Sequence, residues 1–136
     1  MDEESRREFR RYCVVSLFLW GLVFFGILRC RGDVEELFAG LSRILSSPAT
    51  LITDYVLLGG AAAFVNAGLL GLSVLGLLAA QGARLTGPGL AAVFTVTGFG
   101  LFGKNLYNVW PILLGVWLYG RPRGVAFRDH LLIALF

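Results

Sequence analysis

Charge is scarce in this chain of 136 residues, which carries a single lysine, a single histidine and only two cysteines. Charged residues make up 15% of it, against about 25% in average globular domains. A soluble domain of this length could not hide so much apolar surface in one core, whereas a bilayer accepts it. Cys13 and Cys30 stand seventeen residues apart, at the two ends of one apolar run. In a helix that is about 25 Å, and a disulfide needs Cα atoms within about 7 Å, so they cannot pair there. Neither has partners at metal-ligand spacing. The lone histidine, His130, sits in an Arg128-Asp129-His130 patch that loop solvation explains. There is no paired-carboxylate site, serine elbow, Walker loop or metal cluster. No enzyme, cofactor or metal is therefore expected. The net charge of +3 comes from arginines at the ends of apolar runs. No basic helix carries base-reading side chains, so nucleic acid is not an expected partner.

What is present is apolar and small. Hydrophobic residues reach 57% and glycines number 18. Glycine is commoner in membrane helices than in soluble ones. The expected fold class is an all-α integral membrane protein.

Residues 1–11 form a mixed-charge tail containing Arg6, Arg7, Arg10 and Arg11. Residues 12–28, YCVVSLFLWGLVFFGIL, are just long enough for a spanning helix. Arg29, Cys30 and Arg31 follow in place of a small-residue cleavage site, which favours an uncleaved helix over a signal peptide. Over 33–46, Val34, Leu37, Phe38, Leu41 and Leu45 make one helical stripe. Asp33 with Glu36 predicts a capping box, and Ser46-Ser47-Pro48 the end. The helix is too short and polar to span. It lies flat at the membrane surface or packs on other parts of the protein. Residues 55–80 predict a second spanning helix. Gly59, Ala63, Ala67 and Gly71 line one of its faces, and Asn66 lies mid-run. A carboxamide there needs partners, either an interhelical hydrogen bond or a polar solute.

Residues 81–88 predict a turn, and 89–120 are the unusual stretch. As one helix it would be about 48 Å long, beyond a hydrocarbon core of about 30 Å. Two full spans and a turn do not fit either. Its middle holds Gly98, Gly100, Gly103, Lys104, Asn105, Asn108 and Pro111. The glycines weaken a helix and Pro111 cannot donate to Tyr107. Two half-helices meeting at a break are expected. With a cytoplasmic N-terminus and a re-entrant hairpin, Arg6, Arg7, Arg10, Arg11, Arg84, Arg121, Arg123 and Arg128 fall inside. Only Arg29, Arg31 and Arg43 fall outside, as the positive-inside bias prefers. A kinked, tilted single span is the competing arrangement. Residues 131–136 look like the start of a further helix, so the chain is expected to be the N-terminal fragment of a larger protein of the bacterial inner membrane.

Discontinuous helices supply binding sites in many transporters, and a charge at membrane depth is costly enough to suggest function. Gly103, Lys104, Asn105 and Asn108 are therefore the candidate solute-binding residues, with Asn105 and Asn108 on one helix face. The competing roles are a snorkelling lysine and glycines that serve packing. Asp54 is expected to cap the helix that follows, with proton coupling as its alternative. Asn66 is the other candidate polar contact.

The runs ITDYVLLGGAAAFVNAGLLGL and GPGLAAVFTVTGFGLFGKNLYNVWPILLGVWLYG resemble a bacterial polytopic membrane family catalogued as a domain of unknown function, number 1576. The resemblance covers about residues 52–136 and implies a longer protein, with no activity attached. Gly103-Lys104-Asn105 is more weakly similar to the re-entrant Gly-x-Asn signatures of urea transporters. The lysine departs from a neutral-solute pore, so urea is not carried over as substrate. The expected function is a transporter or channel for a small polar or anionic solute. The alternative is a non-transporting scaffold or subunit that packs partner helices on the Gly59/Ala63/Ala67/Gly71 face. Expected partners are the lipid bilayer, further helices of the same protein or a second copy, and a small polar solute.

Overall fold

The computed structural model describes residues 2–48 and 52–124. Among them the regular structure is helical and no strand forms: α1 (Glu3–Arg29), α2 (Val34–Leu45), α3 (Tyr55–Gly59), α4 (Ala62–Ala80), α5 (Gly87–Phe99) and α6 (Val109–Gly120), then a 3-10 turn at Arg121–Arg123. The expected helix start at 131–136 lies outside the described residues.

The helix expected over 12–28 begins instead at Glu3, so the N-terminal tail is its first two turns. Asp2 caps it by accepting the Ser5 N–H at 2.7 Å. The tail is helical because its charges pair along the helix, Glu3 with Arg7 at 3.1 Å and Glu8 with Arg11 at 3.2 Å. Pairs at these spacings favour a helix by about 0.2–0.5 kcal/mol each. The helix ends at Arg31 and Gly32, both at positive φ.

The run expected as one helix over 55–80 is broken. Gly60 takes φ 60° and separates α3, a single turn, from α4. An L side chain rarely adopts that φ, whereas glycine does so freely. Asp54 caps α3, accepting from Val56 N at 2.9 Å and Leu57 N at 3.1 Å. The Arg43 side chain donates to the Leu58 carbonyl at 2.9 Å and covers the open end.

α4 is the hub, with 11 of its 19 residues buried. Two of its sides take α1 and α5. A Cβ on Gly68 would meet the Leu19 carbonyl oxygen of α1 at 2.8 Å, and one on Gly26 of α1 would meet Ala61 O at 2.8 Å. The helices therefore approach backbone to backbone, as small residues allow. Leu19, Leu70, Val74, Val93 and Val96 form the dry centre of the main cluster. A second cluster joins Ile44 of α2 to Tyr55, Ala62 and Ala63.

Two helices, α1 and α4, are long and apolar enough to cross a membrane. At 1.5 Å per residue they extend about 40 Å and about 28 Å. α1 buries few of its apolar residues. Val14, Leu17 and Phe24 are 68%, 74% and 58% exposed. Large apolar groups facing outward in a row are a liability in water and are at home in lipid. The N-terminal turns of α1 and the loop after α4 meet at one end of the bundle. There the Tyr12 hydroxyl donates to Ala83 O at 2.8 Å, and Arg84 pairs with Glu4 at 2.6 Å.

Gly68→Ala is expected to lower the thermal unfolding midpoint in detergent, because overpacking a rigid backbone contact costs about 1–3 kcal/mol. Gly76→Ala meets nothing within 4 Å and is expected to hold or raise the midpoint. Equal midpoints for the two variants would contradict the close α1–α4 approach.

Candidate functional site

The stretch 89–120 is not one rod. α5 stops at Phe99, α6 starts at Val109, and residues 100–108 between them are irregular. α5 spans about 20 Å and α6 about 18 Å, each short of a hydrocarbon core of about 30 Å. Gly103 has φ 95° and sits just beyond the end of α5. The Lys104 N–H reaches back to the Phe99 carbonyl at 2.9 Å, which closes the helix end. Pro111 falls in the first turn of α6, where an N–H has no helical partner to lose. The glycines thus end one half-helix and the proline helps to start the next.

Unwound backbone in an apolar setting must find hydrogen-bond partners. Asn66, fully buried on α4, supplies three. Its amide nitrogen donates to Gly100 O at 2.7 Å and to Lys104 O at 3.0 Å. Its oxygen accepts the Leu106 N–H at 3.1 Å. Gly100 makes this reachable, because a Cβ there would lie 2.6 Å from the Cα of Ala67.

Asn105, also fully buried, joins the break to α2 and α3. Its nitrogen donates to Ile44 O at 2.9 Å and, more weakly, to the Tyr55 hydroxyl at 3.4 Å. Its oxygen accepts from Tyr107 N at 2.9 Å and Asn108 N at 2.8 Å. Two donors and two acceptor sites are the whole capacity of a carboxamide, so Asn105 is saturated. Asn108 is half-buried. Its oxygen accepts the Asn105 N–H at 2.9 Å and its nitrogen donates to Gly103 O at 3.0 Å, which leaves one donor and one acceptor position spare. Tyr55 N donates to Leu101 O at 2.9 Å, and an isolated bridge pairs Asp54 with Phe102.

Lys104 differs from its neighbours. Its backbone is fixed by Phe99 and Asn66, while its half-buried side chain has no hydrogen bond or ion pair among the described residues. The six candidate residues therefore separate by geometry. Gly103, Lys104, Asn105, Asn108 and Asn66 converge on the break. Asp54 reaches it through its backbone, while its exposed carboxylate is spent on the α3 cap. Ile44 O and the Tyr55 hydroxyl belong to the same network and were not anticipated, because nothing local in the sequence couples them to Asn105. No group of histidine, cysteine and acidic residues that could hold a metal occurs among the described residues.

The family DUF1576, a protein of unknown function, matches residues 33–136. The chain belongs to that family. The matched region begins at the Asp33 cap of α2 and includes the whole break and the Asn66 clamp. No curated protein and no solved structure matches the chain.

Asn66→Leu keeps the volume but strands two carbonyls and one N–H. Each unsatisfied buried group costs about 1–3 kcal/mol. The expected result is loss of a cooperative unfolding transition in detergent, or a sharp fall in its midpoint. Asn108→Ala, at a half-buried and partly used amide, is expected to cost less. The opposite ranking would remove Asn66 from its place as the clamp.

Proposed function

We propose that DUF1576 chains of this kind form part of a membrane transporter or channel for a small polar or anionic solute, with the α5–α6 break as the contact site. The observation that carries this is Lys104, the chain's one lysine, with no side-chain partner among the described residues, at an irregular step between two short apolar helices. A cation so placed is costly unless water, a lipid headgroup or a solute meets it. Asn66 and Asn105 hold the frame. Lys104, the spare positions of Asn108 and the backbone at Gly103 face the solute.

In this reading α5 and α6 form a re-entrant pair in the bilayer of the bacterial inner membrane, with the N-terminus cytoplasmic, and α2 lies along the opposite surface. Support for the hairpin comes from a groove against α4 that the α6 segment lines from Tyr107 to Trp117. Leu113, Leu114 and Trp117 share a groove with Leu77 and Gln81, at the end of α4 where α5 begins. The alternative scaffold reading drew on the small-residue face of α4. That face is covered within the chain: Gly59 meets Ile44, Ala67 meets Gly100 and Gly71 meets Leu19.

In proteoliposomes holding the full chain, Lys104→Ala is expected to cut uptake of the transported solute about tenfold or more, with its unfolding midpoint retained. That is the scale of one charge-assisted hydrogen bond, about 1.5–3 kcal/mol. Lys104→Arg should keep part of the flux. Wild-type flux in Lys104→Ala, across a panel of small anions and polar solutes, would end this reading.

Topology has its own test. With both native cysteines replaced by serine, Gly87→Cys and Arg123→Cys should react with an impermeant maleimide from the same side of the membrane, and Glu35→Cys from the other. Labelling of positions 87 and 123 from opposite sides would replace the hairpin by a single crossing.

A further inference from the structure

At the end of the bundle remote from α2, the first turns of α1 and the start of α5 border an open cavity of about 530 Å³. Arg7, Arg10 and Arg11 line one wall, Thr86 and Gly87 the other, and Val14 and Leu90 extend it toward the middle of the bundle. The carboxylates nearby are already engaged. Glu3 pairs with Arg7, Glu4 with Arg84, and Glu8 with both Arg11 and the Leu85 N–H. Arg10 has no ion pair among the described residues. The Thr86 side chain makes no capping hydrogen bond, so the Gly87 and Gly89 N–H groups in the first turn of α5 are not covered by it, and Pro88 between them has none. An unpaired guanidinium and an open helix N-terminus on facing walls both favour an anion.

Next to the cavity the surface of α1 and α5 is an exposed apolar strip. On α1, Arg7, Arg11, Val14 and Phe18 fall on one helical stripe. On α5, Gly87, Leu90 and Phe94 do the same. Phe18 and Phe94 meet edge to face across the strip, with centroids 5.6 Å apart. Both stay about half exposed. Arginines beside an exposed apolar strip match a headgroup followed by an acyl chain.

We propose that this cavity binds an anionic phospholipid, with its phosphate between Arg10, Arg11 and the N-terminus of α5 and one acyl chain along Val14, Leu90 and the Phe18–Phe94 pair. The inference rests on membrane placement and is independent of any transported solute.

The test follows thermal unfolding of the purified full chain in neutral detergent. It is titrated separately with phosphatidylglycerol, phosphatidylcholine and inorganic phosphate. Phosphatidylglycerol is expected to raise the midpoint saturably, and the other two are not. Arg10→Gln/Arg11→Gln should raise the half-saturating concentration at least tenfold, while Arg6→Gln, outside the cavity, should leave it within twofold. Gly87→Asp guards against loss of fold in the arginine variant. A Cβ there meets nothing within 4 Å, and an acidic residue in the first turn suits the helix dipole. It should fold normally and yet repel the headgroup. An equal response to phosphatidylcholine would overturn the proposal, as would an undiminished response in Gly87→Asp. A response to inorganic phosphate alone would assign the site to a soluble anion and overturn the lipid.

Discussion

The Asn66 side chain carries the arrangement of the rest. Residues 100–108 leave helical geometry, so their carbonyl and N–H groups lose the partners a helix would provide. In an apolar setting that loss costs about 1–3 kcal/mol per group. One buried carboxamide on α4 meets two of the carbonyls and one N–H. For its reach to suffice, the backbone of the break must press against α4, and Gly100 over Ala67 is the contact that permits this. The central position of α4, buried over most of its surface, follows from the same requirement.

The second carboxamide extends this order outward. Asn105 reaches an end carbonyl of α2 and the Tyr55 hydroxyl, so the break, α2 and α3 are locked to each other. Tyr55 N to Leu101 O and the Asp54–Phe102 bridge add backbone links at the same place. Such a network holds an irregular segment in one conformation, which is what a binding site needs in advance of its ligand. Lys104 alone among these residues has a side chain left over. The break is a rigid frame holding one cation that has no partner among the described residues, and the proposed function depends on that asymmetry.

The surface divides in a related way. Where α3 carries Gly59 and α4 carries Ala67, Gly68 and Gly71, neighbouring elements of the same chain come in to contact distance. Where α1 carries Val14, Leu17 and Phe24, they stay largely exposed among the described residues. Small residues mark internal seams and large ones mark the outer face, as expected when lipid rather than water surrounds the helices. At one end this apolar outer face meets the arginines of the first turns of α1, and the proposed lipid cavity lies at that junction.

Several features were legible from the residues alone because they depend on composition or on neighbours within one turn. The helical class, the two long apolar helices, the Asp33 cap and the interruption between Gly98 and Asn108 are of this kind. The capping box formed only by half, since Asp33 accepts the Glu36 N–H while its own N–H bonds to Cys30 O. Other features depended on the folded chain. Gly60 was one glycine among many in an apolar run, and nothing nearby distinguished it as the point where that run breaks. The N-terminal tail looked like a loop because its helical pairing, and the contacts of Glu4, Glu8 and Tyr12 with the 83–85 turn, involve polar groups rather than apolar periodicity. The partners of Asn66 and of the Asn105 side-chain nitrogen lie 34 to 61 residues away in the chain. Sequence alone therefore determined that a polar break would interrupt an apolar helix. Only tertiary structure decided which asparagines would close it and that the lysine side chain would have no partner among the described residues, because a hydrogen bond depends on distance in space and not on separation along the chain.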